Sequence, residues 1–240
     1  MKTVYFGSNR RFEFKYSEFK QLQIEASKRN ISIGDNSIIG NESEISEDVV
    51  IGEGVVIGER VEIECSTKIG KSSKIGSNTI ISDNVSIGER VIIGKDVEIE
   101  FSTKIGSKSK IGSKSNISYD VTIGRSVKIG RKVKIGNSTK IGDKTRLSTK
   151  VRILEKVIIA DRVKVGVGSR IANNATIEQG VTLLEGAKIK TGWVVKKVTH
   201  LIDASVYTIK GVTMVQMGYS TKTIKEWNEF LIRIKHEKHK

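Results

Sequence analysis

An aliphatic residue recurs at every sixth position of this chain from Ile33 to Ile189, giving 27 consecutive hexapeptides without a break in register. No other feature limits the fold as much. An amphipathic helix needs a period near 3.6, and a half-buried strand needs a period of two. A fixed period held over so many units is the mark of a solenoid in which each unit buries its apolar face only against its neighbours. The residue after the aliphatic position is usually glycine, as in Gly34, Gly40, Gly52, Gly58, Gly70 and Gly76. The residue two before it is small or β-branched, as in Val49, Val55, Val61, Thr67, Ser73 and Thr79. Alternate residues of a short strand point to one side, so both positions face inward. The glycines are expected at the sharp corners, where unusual backbone angles are needed.

The unit I-G-x-x-[VST]-x resembles that of the hexapeptide-repeat, left-handed parallel β-helix proteins. That resemblance implies an all-β solenoid of about nine triangular coils, three hexapeptides to a coil, with small α/β caps at both ends. At roughly 4.8 Å between stacked strands the prism is about 43 Å long. The left hand comes from the family alone. A second period of 36 residues lies over the first. Val-Glu-Ile-Glu-Cys-Ser-Thr-Lys-Ile-Gly at 61–70 returns as Val-Glu-Ile-Glu-Phe-Ser-Thr-Lys-Ile-Gly at 97–106. Coils filled with Val therefore alternate with coils filled with Ser and Thr, as close packing of large and small groups requires.

Three segments follow. Residues 31–190 are the β-helix. Residues 1–30 read as an N-terminal cap, a strand pair (Thr3–Phe6 and Phe12–Tyr16) and a helix near Ser17–Lys28 whose Phe19, Leu22 and Ile24 cover the first coil. Residues 191–240 leave the hexapeptide rule and form a C-terminal cap or docking element. There Ser205–Lys210 and Val212–Met217 read as a hairpin. Thr223-Ile224-Lys225-Glu226 is a capping box that opens an amphipathic helix with Trp227, Phe230 and Leu231 on its docking face. The run from Met214 to Trp227 resembles the end of uncharacterised hexapeptide-repeat proteins of phages and gut bacteria, with Tyr219 where those often have Cys.

Composition narrows the chemistry. Aromatic residues are 5% of the 240 and proline is absent, so Ile and Val must build the core. The single cysteine, Cys65, excludes a disulfide framework. No secretory signal or membrane span is read, and the expected location is cytoplasmic or virion-associated. Many members of the resembled family are acyltransferases that use acyl-CoA or acyl carrier protein. Their base is typically a coil histidine at a cleft between trimer subunits, often beside a loop that interrupts the coils. Histidine suits this task because it titrates near neutral pH. Here the three histidines, His200, His236 and His239, all follow the coils, and no loop interrupts the repeat. The zinc-dependent use of the fold needs three coil histidines and is excluded, so no metal site is expected. Cys65 is replaced by Phe101 and Asn137 at the equivalent positions, which marks a surface site. The carboxylates Glu62, Glu64, Glu98 and Glu100 read as a solvated acidic patch.

Charge is the remaining signal. The net charge is +15, yet residues 31–100 carry −8 and residues 101–170 carry +14. Two basic columns stand out, Lys110, Lys128, Arg146 and Lys164 on one face, and Lys134, Arg152, Arg170 and Lys188 on the next. Like charges stacked on neighbouring strands repel, which points to an anionic partner. Nucleic acid is disfavoured because no aromatic residue lies between Tyr119 and Trp193. An acidic protein or another copy of the chain fits better. A parallel in-register trimer, the usual family assembly, sets like charges side by side, whereas head-to-tail or staggered contacts pair opposite ones. The expectation from the sequence is thus a non-catalytic β-helical rod, without cofactor, that self-associates or attaches to a larger, phage-related assembly. The alternatives are a family acyltransferase using acyl-CoA, with His200 or a partner supplying the base, and a binder of an anionic polymer.

Overall fold

The computed structural model describes residues 2–6, 11–14, 18–197, 204–209, 212–217, 220–223 and 225–226. Within them the hexapeptides form a parallel β-solenoid. Each two-residue strand pairs in register with the strand 18 residues on, as Ile63 does with Ile81 and Ile81 with Ile99. Three strands per coil make three flat faces. Face 1 begins at Ser32–Ile33, face 2 at the Ile38 bridge to Val56, and face 3 at Ser43–Ile45. The sheets on faces 1, 2 and 3 have 13, 8 and 11 strands. This is the expected all-β architecture.

The interior consists of the two expected columns per face. Ile45, Ile81, Ile99, Ile117 and Ile171 are fully buried, and so are Val49, Val61 and Val133 beside them. Burial of each such side chain stabilises the fold by about 1.5–3 kcal/mol. The Ser and Thr coils do more than save volume. Thr103 Oγ1 donates to the Ser118 carbonyl and accepts the Val121 N–H of the coil above. Ser109 and Ser115 repeat the pattern toward Gly124 and Gly130. Each buried hydroxyl is therefore satisfied and supplies a partner to a buried backbone group, as interior polar groups require.

The glycines act differently from the expectation. The corner glycines after the aliphatic residue are absent from the left-handed region; the left-handed residue stands two positions later, at Asn36, Glu42, Asp48 and every sixth residue up to Gly192, and is mostly not glycine. Lys108, Lys114 and Lys132 hold φ values of 63, 60 and 58° there. Glycine is needed at the corner because the coils approach too closely for a side chain. A Cβ on Gly76 would lie 2.5 Å from the carbonyl atoms of Gly94 and 2.6 Å from the Lys95 nitrogen.

The ends close two of the three sheets. Strand Lys2–Phe6 adds parallel to Ser43–Ile45 and takes Arg11–Phe14 antiparallel on its other side. The helix Phe19–Ser27 buries Leu22 and Ala26, and Phe19 packs against the core. Ile24 is 52% exposed and does not cover the first coil as expected, because the buried face of the helix runs through Leu22 and Ala26 instead. At the other end the inward spacing continues one hexapeptide past Ile189. Val195 is fully buried and pairs with Ile177, and Trp193 fills the small inward position. Strand Val194–Lys197 then starts an antiparallel run through Ala204–Ile209, Val212–Met217 and Ser220–Thr223. The capping box is present, with the Thr223 N–H on Glu226 and the Glu226 N–H on Thr223 Oγ1. Trp227, Phe230 and Leu231 lie outside the described residues.

Candidate functional site

Each coil carries the chain from face 2 over a corner to face 3, and that corner joins the two basic columns. Lys110, Lys128, Arg146 and Lys164 pair in register on face 2. Lys134, Arg152, Arg170 and Lys188 do so on face 3. All eight are exposed, because the strand position before a buried aliphatic residue points outward. Between the columns, Lys114, Arg131, Lys132 and Lys150 occupy the corner itself. With Ser113 and Thr149 they line a shallow groove of about 340 Å³. Twelve cations thus wrap one corner over five coils.

The corner lysines were overlooked in the sequence. Their signal was available: Lys114, Lys132 and Lys150 stand 18 residues apart at the left-handed position, where Asn, Asp or Gly costs less. Their density makes this corner a cradle for oxyanions. Guanidinium and ammonium donors grip phosphate oxygens by charge-assisted hydrogen bonds, and their combined field concentrates anions at the surface. Ser113 Oγ is engaged in the fold, accepting the Lys95 N–H of the coil below at 3.0 Å.

The other candidates are dispersed. Cys65 is a free, exposed thiol on the corner between faces 3 and 1. That corner also bears Phe101 and Tyr119, whose rings stack at 4.9 Å with 1° between their planes, and Asn137 donates to the Tyr119 hydroxyl. On the corner between faces 1 and 2, Asp143 accepts the Arg125 N–H and its guanidinium. The backbone hydrogen bond from Arg125 does most to hold the Asp143 carboxyl below its ordinary range, with the Arg125 side chain adding to it. Among the described residues no group of His, Cys, Asp and Glu is placed to hold a metal ion. No helix among them is long and apolar enough to cross a membrane. His200, His236 and His239 lie outside the described residues.

With the coils and their corners defined, the chain can be compared with known proteins. The family model for bacterial transferase hexapeptide repeats matches residues 30–65 and 66–100. Together with the parallel solenoid, which carries the same period on to Ile189, this match supports the resemblance to the hexapeptide-repeat β-helix proteins. Similar solved structures include the UDP-N-acetylglucosamine acyltransferase of Francisella novicida, 23% identical over 74% of this chain and 68% of that one, with a TM-score of 0.39. The Arabidopsis enzyme of that name is 16% identical over 76% and 71%, with a TM-score of 0.49. The Bacteroides fragilis enzyme is 20% identical over 74% and 72%, with a TM-score of 0.40. A search of curated protein sequences gives no match.

The family match corrects the expectation of a non-catalytic, phage-related rod, since the model that recognises these coils is one of transferases. That expectation leaned on the missing coil histidine and the missing loop. Neither is a physical requirement for acyl transfer: carboxylates, lysine and tyrosine also act as bases, and a site between subunits needs no loop.

Proposed function

We propose that the chain is an acyltransferase of the hexapeptide class that takes its acyl group from a phosphate-bearing thioester such as acyl-CoA. The match of its coils to the bacterial transferase model carries this reading. The acceptor hydroxyl or amine attacks the thioester carbonyl, the new C–O or C–N bond forms as the C–S bond breaks, and the acceptor's proton ends on the departing thiol. The basic corner between faces 2 and 3 suits the phosphates of the carrier. In this reading His200, which follows the last coil in the sequence, serves as base, and the working form is a homo-oligomer.

The test is thiol release from acetyl-CoA and longer acyl-CoA in the presence of amino- and hydroxy-sugars, read with a thiol-reactive dye and by mass spectrometry of the acceptor. Turnover is expected. The triple variant Lys114→Ala, Lys132→Ala, Lys150→Ala should raise the KM for acyl-CoA more than tenfold with kcat nearly kept, because uniform binding is lost. His200→Ala should lower kcat by about 10²–10⁴-fold. The proposal fails if no acyl-CoA is bound or consumed.

A further inference from the structure

Along the corner between faces 3 and 1, the second residue of each turn forms a line with one rung per coil. Over five successive coils it reads Phe101, Tyr119, Asn137, Glu155 and Asn173. The rungs stand roughly 4.8 Å apart. The first two are the aromatic stack, 49% and 37% exposed. The last three line a shallow groove of about 340 Å³, together with Asn116, Ser118 and Leu154. Gly136 helps to open it, since the same turn position holds Ser118 one coil before and Leu154 one coil after. That volume lies at the small end of ligand sites, about 300–1,000 Å³.

The fold holds the groove ready. Asn137 donates to the Tyr119 hydroxyl, Asn116 donates to Glu98, and Asn173 accepts the Glu155 N–H. All three amides are half-buried, and each keeps further donors or acceptors beyond the bond that fixes it. The charged residues of the lining are Glu155 and Lys134, one of each sign. The basic corner on the other edge of face 3 suits oxyanions. This one suits a neutral ligand rich in hydroxyls, because a hydroxyl both donates and accepts, as an amide does. Such a ligand needs no cation of the basic cradle. The aromatic stack supplies the complementary half. A pyranose ring turns C–H bonds outward on its faces, and these pack against the negative face of an aromatic ring. A nucleobase also stacks, but it is one short plane, whereas the line of five rungs runs about 19 Å.

We propose that the corner between faces 3 and 1 binds a neutral oligosaccharide, laid along the coils with one pyranose on Phe101 and Tyr119 and the next units hydrogen-bonded to Asn137, Glu155 and Asn173. The site holds the sugar chain and does no chemistry on it. It does not rest on the acyltransferase reading.

The test is isothermal titration of the full chain with cellotriose and with tri-N-acetylchitotriose, with uridine and adenosine titrated alongside. At least one trisaccharide is expected to bind in the millimolar range or tighter. Its affinity should be the same at about 50 mM and at about 1 M salt, where the screening length falls to about 3 Å. Phe101→Ala should weaken binding about fivefold, and Phe101→Trp should keep it. Asn137→Ala should weaken it about fivefold through the lost hydrogen bond, while Lys114→Ala should leave it unchanged. Circular dichroism confirms that these substitutions leave the coils intact. The proposal is overturned if neither trisaccharide binds, or if Phe101→Ala and Asn137→Ala both bind as the parent does. An affinity that falls with salt overturns it too, as do nucleosides bound more tightly than the sugars. No acyl carrier enters the titration, so failure here leaves the acyltransferase reading standing, and failure of acyl transfer leaves this site standing.

Discussion

The corner between faces 2 and 3 and the corner between faces 3 and 1 are turns of equal length on the same buried columns. Each places its third residue in the left-handed region, Lys132 at 58° and Asp120 at 55°. Yet the first is built on Gly40, Gly58, Gly76, Gly94, Gly112 and Gly130, and the second on Ser46, Glu64, Ser82, Glu100 and Ser118 before Gly136 appears. The bend therefore does not demand glycine. Glycine marks the individual coils whose neighbours come too close for a Cβ; most of these stand at the first corner, and Gly136 is one at the second, where a Cβ would lie 2.7 Å from the Leu154 carbonyl carbon. Where a coil has a side chain at this position, that side chain reaches outward, as Glu100 does over the Tyr119 N–H with the aromatic stack beside it. The tight corner carries its surface chemistry one residue later, in Arg131 and the left-handed lysines.

The largest expected effect tests this difference directly. Gly76→Ala forces a methyl group against the Gly94 carbonyl and the Lys95 nitrogen, which are backbone atoms and cannot swing away. Overpacking of this kind costs about 1–3 kcal/mol, and rigid neighbours put it at the upper end. Ser82→Ala, one hexapeptide further at the roomy corner, should stay within about 0.5 kcal/mol. Urea midpoints of the two variants measure the gap. Equal midpoints would mean that the corners differ in sequence but not in clearance.

A second pair should show no such gap. Thr103 supports a carbonyl of the roomy corner, at Ser118, and Ser115 supports one of the tight corner, at Gly130. Each also accepts a buried N–H, from Val121 and Val133. Thr103→Val and Ser115→Ala leave these groups without the hydroxyl, at a cost of about 1–3 kcal/mol each. Similar losses at both corners, read by thermal unfolding, would show that the hydroxyl ladder is common to the prism and that only the approach of the coils differs.

How far the sequence could show this depends on the period at which it is read. At period six, Ile33 to Ile189 revealed the strands, the inward columns and the family. The same rule carried one step more, to Val195, was hidden because Trp193 does not look like a small inward residue. The role of the corner glycines was misread, since sequence shows that a side chain is missing but not whether an angle or a neighbour forbids it. At period 18 the sequence holds the Phe101–Tyr119 stack with the polar rungs that follow it, and the Lys114–Lys132–Lys150 line. Totals over long segments showed an acidic and a basic half but not these lines. The choice between rod and transferase was not legible, because smooth coils are the scaffold in either case.

The smallest effect concerns the third residue of each turn. A lysine in the left-handed region strains its Cβ against the following carbonyl, by up to about 1–2 kcal/mol, whereas Asn and Asp offset part of this by local hydrogen bonds. Corner 3/1 uses Asp48, Asn84, Asp120 and Asn174 beside Lys156, while corner 2/3 uses Asn78 and Asp96 in its earlier coils and Lys114, Lys132 and Lys150 in its later ones. Lys132→Asn should therefore raise stability by less than about 1 kcal/mol, and Asp120→Asn should leave it unchanged. Removing Lys132 also relieves repulsion from Lys114, Arg131 and Lys150, so the measurement belongs at about 1 M salt, where the screening length is about 3 Å. A gain that persists there is the backbone's. A gain that vanishes would assign the strain of corner 2/3 to its charges, and would make the basic groove, rather than the turn, the part of the prism that destabilises it.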